Sequence, residues 1–437
     1  MSASPTITWS SKLTFIFAAT GSAVGLGNIW KFPYMTGEYG GGAFVLIYLA
    51  CILLLGLPIM MAEIAIGRSA KANPIDAIEH HAARNGLSKN WFLLPAMGLC
   101  AGIMILMFYS VVAGWTLDYI IASLSGSYMG APAEAISGHF GELTSNFGLQ
   151  LIYLTIFVVL TGLLVVGGAK AIGKAVEVMM PALFIILLIL LGYAFFAGDV
   201  ARGMEFMWKV DFSKITMDVV LAAMGQAFFT LSLGMGSIMA YGAYMGKDVN
   251  IGKTALTIGL VDTLVALIAG MMIFPLVFAH GLEPSAGPGL VFVTLPNAFS
   301  QMFGGQFIGL MFFVLLTLAA LSSSISLIEP SAAWFERKGV KRIVSVTGLC
   351  AIAWIGAAAS AASGDVFNFL DVATANYMLP LGGLLAAVLI GWRMHRNETE
   401  EALALKSTFW FQAWYLAIRF IAPVCVGLVM LNGLGLL

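Results

Sequence analysis

Apolar residues in this chain come in long blocks divided by short polar connections, not in the one-sided stripe of a helix on a soluble protein. Eleven blocks are long enough, and free enough of charge, to cross a bilayer as helix: 12–36, 42–70, 89–124, 148–169, 173–198, 217–246, 251–281, 306–337, 341–362, 367–393 and 405–434. The pattern predicts an all-α integral membrane protein with eleven transmembrane helices. Two connections are long, Ser125 to Phe147 and Leu282 to Gly305. Within the second, the apolar run Val291 to Met302 is expected to pack as a re-entrant or surface hairpin.

Two blocks are interrupted. The first carries Gly-Ser-Ala-Val-Gly-Leu-Gly-Asn over Gly21 to Asn28, and the sixth carries Phe-Phe-Thr-Leu-Ser-Leu-Gly-Met-Gly-Ser over Phe228 to Ser237. Backbone groups released at membrane depth are tolerated only where protein buries them or a cavity receives them, so both breaks mark a binding site. They lie five blocks apart, the arrangement of two five-helix inverted repeats whose first and sixth helices are unwound. Residues 1–11 then form a cytoplasmic segment, 12–198 the first repeat, 199–216 an extracellular connection, 217–393 the second repeat and 394–437 a peripheral eleventh helix. Glycines elsewhere, Gly40 to Gly42 and Gly167 with Gly168, are read as close helix packing.

Composition agrees with the pattern. Of 437 residues, 60% are hydrophobic and 10% charged, with a mean hydropathy of +0.96, outside the soluble globular range. A net charge of -1 offers no global field for nucleic acid. With the N-terminus inside, the inner segments hold 16 Lys and Arg and the outer ones 4. That bias predicts a multi-pass protein of the inner (plasma) membrane with its N-terminus cytoplasmic and its C-terminus outside. Lys12 and the apolar run after it have the form of a leader, but equally long blocks follow, so the segment is read as a first span. Cys51, Cys100, Cys350 and Cys425 all fall in apolar runs without ligand spacing and are expected to be buried small hydrophobes. No nucleophile-base or metal constellation points to an enzyme, and no ring motif to a channel filter.

The run Gly21 to Pro33, Gly-Ser-Ala-Val-Gly-Leu-Gly-Asn-Ile-Trp-Lys-Phe-Pro, strongly resembles the neurotransmitter:sodium symporter family, in its bacterial leucine-transporter type. Glu38 to Phe44, Gly56 to Glu63 with Gly67-Arg68, Gly225 to Gly234, Thr294 to Pro296 and Ser322 to Ser324 extend the match through eight blocks. The resemblance implies alternating access, a bundle moving against a scaffold, driven by sodium. It also implies two ions. The first is held by the Ala23 carbonyl, the Asn28 amide, Thr230 and Asp262, and the second by the carbonyls of Gly21, Val24 and Ala319 with the hydroxyls of Ser322 and Ser323. Oxygens freed by an unwound helix suit a hard cation. Asp262 replaces an asparagine of the leucine-transporter type, and Ala266 stands where that type has a glutamate. A fixed carboxylate in the ion site supplies the counter-charge that chloride gives other members, which implies chloride independence. Pairing of Asp262 with a remote Lys or Arg is the alternative, although no basic residue lies near it in block seven.

Gly25 stands where monoamine transporters of the family carry aspartate, so an amino acid is implied in place of an amine. By resemblance Tyr109 and the Leu26 and Gly27 amides take its carboxylate beside Ala23 and Gly25. The carbonyls of Ser22, Phe229 and Ser232, with Thr230, take its ammonium. Ile105, Met235, Ser323 and Leu327 surround its side chain along with Tyr109, Phe229 and Ser232. Most of these are apolar, and Met235 is adaptable, which favours hydrophobic L-amino acids, bulky or aromatic ones included. Lys31 and Asp371 match the outer gate, with Phe229 as its lid, and Trp9 and Tyr244 match the inner one. Thr6 and Arg337 replace the family's inner ion pair, leaving Lys12, Glu329 or Glu336 as substitutes. Glu63 resembles the acid that braces the unwound sixth helix; a solvated charge beside Arg68 is the alternative. Arg419 reads as a snorkelling or headgroup contact. The expected function is sodium-coupled amino-acid symport, with a sodium-dependent receptor that does not transport as the alternative. Its expected partners are the substrate, the bilayer and at most one weakly held second copy.

Overall fold

The structure, a computed structural model, describes residues 12–246, 249–284, 287–405, 407–433 and 436, with the side chains of 12–17 and 432–433 excepted. All regular structure among these residues is helical. The first block forms α1 (Lys12–Ala23) and, after a break, α2 (27–38). There follow α3 (Gly42–Ala70), α4 (Pro74–Arg84), α5 (Lys89–Ser125), α6 (Ala133–Ser145), α7 (Phe147–Val166), α8 (Gly168–Ala197) and α9 (Val200–Trp208). The sixth block divides into α10 (Met217–Thr230) and α11 (Ser237–Ala243). The rest comprises α12 (Ile251–Ala279), α13 (290–301), α14 (Gly305–Arg337), α15 (Arg342–Ala362), α16 (Gly364–Arg393), α17 (Arg396–Leu403) and α18 (Thr408–Leu431). Nine of these, among the described residues, are long and apolar enough to cross a membrane. The first and sixth blocks fall outside that set because each is split.

Prolines shape several of the long helices. Five π-helical turns, Gly27–Lys31, Ile52–Gly56, Leu290–Thr294, Ala373–Met378 and Ala417–Ile421, each end two residues before one, at Pro33, Pro58, Pro296, Pro380 and Pro423. A proline ring inside an α-helix collides with the carbonyl four residues back and offers that carbonyl no N–H. Widening the preceding turn relieves the collision while the helix continues, so these blocks bend without ending.

The connections beyond α3, α5, α8 and α16 hold the short helices α4, α6, α9 and α17, with Asn73 and Asp199 capping α4 and α9. Two expectations need correction. Of the two readings of the 291–302 run, re-entrant or surface hairpin, the surface one fails: Leu290, Val291, Phe292 and Leu295 are wholly buried in α13, and the Phe292 carbonyl accepts from the Tyr119 hydroxyl. Of the cysteines only Cys51 is buried; Cys100 is exposed and Cys350 and Cys425 are half-buried, because their helices turn those faces outward.

Small residues bring α3 and the second broken segment into contact. A Cβ on Gly242 would sit 2.7 Å from the Ile64 carbonyl, and one on Gly67 would overlap the Met239 carbonyl, so only glycines let these backbones meet. Glu63 lies in the same crossing, fully buried, and its Oε1 accepts from the Gly234 N–H at 2.7 Å. It is therefore no solvated helix-end charge. Arg68 is committed elsewhere, donating to the carbonyls of Val249 and Ala402 at 2.7 Å each.

Removing the Glu63 acceptor strands a buried N–H. Glu63→Ala is expected to lower stability by about 1–3 kcal/mol, read as thermal unfolding in detergent, while Glu63→Gln, which keeps an acceptor oxygen, retains most of it. Equal losses in the two variants would contradict the bracing role.

Candidate functional site

At the first break the backbone trades helical partners for side chains. Gly25 N–H donates to Asn28 Oδ1 (2.9 Å) and Leu26 N–H to the Tyr109 hydroxyl (3.2 Å). The carbonyls of Gly21 and Ser22, four residues back from these amides, are thereby released. Serines from elsewhere in the chain supply hydroxyls to the break: Ser232 of the second break donates to Ser22 at 2.9 Å, and Ser323 of α14 lies 3.3–3.5 Å from Gly21, Ser22 and Val24. At the second break Ser232, Gly234 and Gly236 take left-handed φ of 54°, 77° and 81°. For Ser232, which has a Cβ, that is a strained conformation. Its hydroxyl bond to Ser22 joins the two breaks.

Two oxygen clusters flank the break. In one, Asn28 Nδ2 donates to Asp262 Oδ1 (2.8 Å) and to the Asp262 carbonyl (3.0 Å), and Thr230 donates to the same Oδ1 (2.9 Å). Among the described residues Asp262 Oδ2 is buried without a hydrogen-bond partner, as are the Tyr48 hydroxyl, Thr263 Oγ1 and Gln226 Oε1. No Lys or Arg forms an ion pair with Asp262 among the described residues. A buried, orphaned carboxylate oxygen among hydroxyl and amide oxygens is a donor set for a hard cation. In the other cluster, Ser322 donates to the carbonyls of Ala319 (3.0 Å) and Val24 (3.3 Å), with Ser323 adjoining. These four oxygens carry no formal charge.

Between the clusters lies a small cavity of about 20 Å³. All the residues expected around a substrate line it except Leu26, which contributes its amide to Tyr109 from behind. Ser326 lines it as well. Helical spacing on α14, three residues after Ser323 and one before Leu327, is the signal that would have found it. An added Cβ on Gly25 would overlap Ser323 Oγ and lie 3.1 Å from the Tyr109 hydroxyl, and one on Gly27 would lie 3.1 Å from the Phe229 ring.

Above the cavity Lys31 pairs with Asp371 (2.5 Å) and sits 4.7 Å over the Phe229 ring. Below, Trp9 and Thr6 lie outside the described residues, as does the Lys12 side chain, and Tyr244 is half-buried. Glu329 and Glu336 both bind Arg342, which also donates to the Val165 carbonyl at 2.7 Å. Arg337, left without an acid by the sequence reading, pairs with Asp76 of α4 at 2.9 Å.

The profile of the Sodium:neurotransmitter symporter family matches residues 7–131 and 133–435. An uncharacterized sodium-dependent transporter of Bacillus subtilis is 35% identical over all of both chains. The sodium-dependent serotonin transporter of Drosophila melanogaster is 25% identical over 97% of this chain and 76% of its own length. Among solved structures, that of MhsT in complex with L-phenylalanine superposes with a TM-score of 0.91 at 41% identity, covering 97% of this chain and 99% of the other.

The glycines of the first break differ in what crowds them. Gly25→Ala is expected to lose about 1–3 kcal/mol through overpacking. Gly21→Ala, facing the flexible Met180 thioether at 3.1 Å, is expected to stay within about 1 kcal/mol of the parent in thermal unfolding.

Proposed function

The chain belongs to the sodium:neurotransmitter symporter family, and from that membership we propose that it imports hydrophobic L-amino acids, bulky and aromatic ones among them, by sodium-coupled symport. Its relatives are transporters, not enzymes, and it is a multi-pass membrane protein. One observation carries the reading: the Asp262 carboxylate, whose Oδ2 has no hydrogen-bond partner among the described residues, accepts through Oδ1 from Thr230, a residue lining a cavity that is polar at the breaks and apolar at Ile105, Met235 and Leu327. The L-phenylalanine bound to MhsT supports a bulky substrate.

In this reading the first sodium is held by Asp262, Asn28, Thr230 and the Ala23 carbonyl, and the second by Ser322, Ser323 and the carbonyls of Gly21, Val24 and Ala319. A substrate carboxylate meets Tyr109 with the Leu26 and Gly27 amides, and the ammonium meets the carbonyls of Ser22, Phe229 and Ser232. Asp262 makes chloride dispensable, since its fixed charge balances the first ion. Lys31, Asp371 and Phe229 form the outer gate. Lysine presents a point charge instead of a fork, so this latch rests on one ion pair and one ring contact. Eleven crossings in two inverted repeats, with the N-terminus cytoplasmic in the inner membrane, and a monomer or weak dimer complete the proposal.

Purified protein in liposomes, offered radiolabelled amino acids under a sodium gradient, is expected to accumulate hydrophobic ones, to fail in potassium, and to continue when gluconate replaces chloride. Binding without accumulation would favour the receptor reading, and a strict chloride requirement would overturn the role of Asp262. Asp262→Asn removes a charge-assisted interaction and is expected to weaken the sodium dependence of uptake roughly 10- to 100-fold. An unchanged sodium curve would remove Asp262 from the site.

A further inference from the structure

Arg419 stands inside an apolar block, where an unpaired guanidinium is costly. Side chains on a helix lean toward its N-terminus, and Arg419 accordingly reaches back along α18 to Tyr415 and to Trp392, one residue from the end of α16. Its guanidinium lies 4.5 Å over the Trp392 ring, 5.2 Å over Tyr415 and 5.6 Å over Phe420. Two contacts fix this arrangement. The Trp392 indole N–H donates to the Arg419 carbonyl at 2.9 Å, and Gly391 leaves room for the Arg419 stem, whose Cγ lies 3.0 Å from where a Cβ would be. Trp392 belongs to the π-helical turn Leu389–Arg393, which no proline follows, and it faces the π-helical turn Ala417–Ile421 that carries Arg419. Such turns outside proline sites often serve function.

The Tyr415 ring carries a second guanidinium, that of Arg396, at 5.5 Å. Arg393 adds a third charge at the same helix end and is exposed. No carboxylate among the described residues forms an ion pair with any of the three. Of the acids in α17, Glu398 is taken by His81 and Arg84, and Glu400 and Glu401 are exposed. Arg419 Nε is buried without an acceptor among the described residues. Around these charges the surface is aromatic and open: Trp392 is 51%, Phe409 70%, Trp410 65% and Phe420 47% exposed. Exposed tryptophan and phenylalanine at the end of a membrane helix mark the interfacial depth at which headgroup phosphates sit.

We propose that the seam between the end of α16, α17 and the first half of α18 binds the headgroup of an anionic phospholipid, its phosphate on Arg396 and Arg419 and its chains over Trp392 and Phe420. A soluble anion would satisfy the arginines and leave the rings bare, whereas a lipid covers both. The seam is thereby tied by a ligand from the bilayer itself.

The test uses the full chain in phosphatidylcholine nanodiscs carrying equal small fractions of either brominated phosphatidylglycerol or brominated phosphatidylcholine. Quenching of Trp392 is read as the difference between the parent and Trp392→Phe. Brominated phosphatidylglycerol is expected to quench Trp392 severalfold more than brominated phosphatidylcholine, and each of Arg396→Gln and Arg419→Gln to reduce retention of the anionic lipid about fivefold. Equal quenching by the two lipids, or an excess that survives the double variant, would overturn the proposal. Should the double variant not fold, the comparison of lipids on the parent alone decides. Loss of the excess on adding inorganic phosphate at constant ionic strength would assign the arginines to a soluble anion, and arginine-dependent self-association that excludes both lipids would assign the seam to a second copy. Either result overturns the lipid.

Discussion

Every backbone group set free within the hydrocarbon layer must find its partner inside the protein. At Gly21 to Asn28 that requirement determines what surrounds the break. The Gly25 amide is met by Asn28 from the next turn, and the Leu26 amide by Tyr109 of α5. The carbonyls of Gly21, Ser22 and Val24 collect hydroxyls from Ser232 and from Ser322 and Ser323 of α14. Four stretches of chain far apart in sequence are drawn to one point because one helix stops short. The oxygens that gather there to satisfy each other are also the ones available to a cation or a zwitterion, so structural need and binding capacity have the same origin.

The two breaks solve this by different physics. At the second, Gly234 and Gly236 supply the positive φ that a side chain resists, and Ser232 adopts one at a strain. At the first, no glycine between Gly21 and Gly27 has positive φ. Gly25 and Gly27 are there for space, against Ser323, Tyr109 and Phe229. The same residue type thus marks a bend in one place and an absence in the other, which explains why a glycine count alone cannot say what a break is for.

Much of this was legible beforehand because it rests on local pattern: the blocks, the two interruptions and the polar residues beside them all stand in short stretches. What escaped depends on partners distant in sequence or on faces. The acid that pairs Arg337, Asp76, lies more than half the chain away. The pairing of Glu329 and Glu336 with Arg342 joins two helices and leaves no local pattern. Cys100 sits in an apolar run on a face that packs against no other helix, and within a membrane protein an apolar run does not say which face is buried. The short helices α4, α6, α9 and α17 hid in connections whose polar composition reads equally well as loop. Five of the π-helical turns precede prolines visible in the sequence, but Pro181, Pro275 and Pro330 stand in helices without such a turn, so proline alone does not announce one.

The cavity between the breaks holds about 20 Å³, room for roughly one water. In the proposed reading a substrate has to part Phe229, Met235 and Leu327 before it gains its contacts. That work rises with the size of the guest, and so does the apolar surface the guest buries, which is what offsets it. Size would then be discriminated by the balance of opening against burial, where a preformed slot discriminates by exclusion.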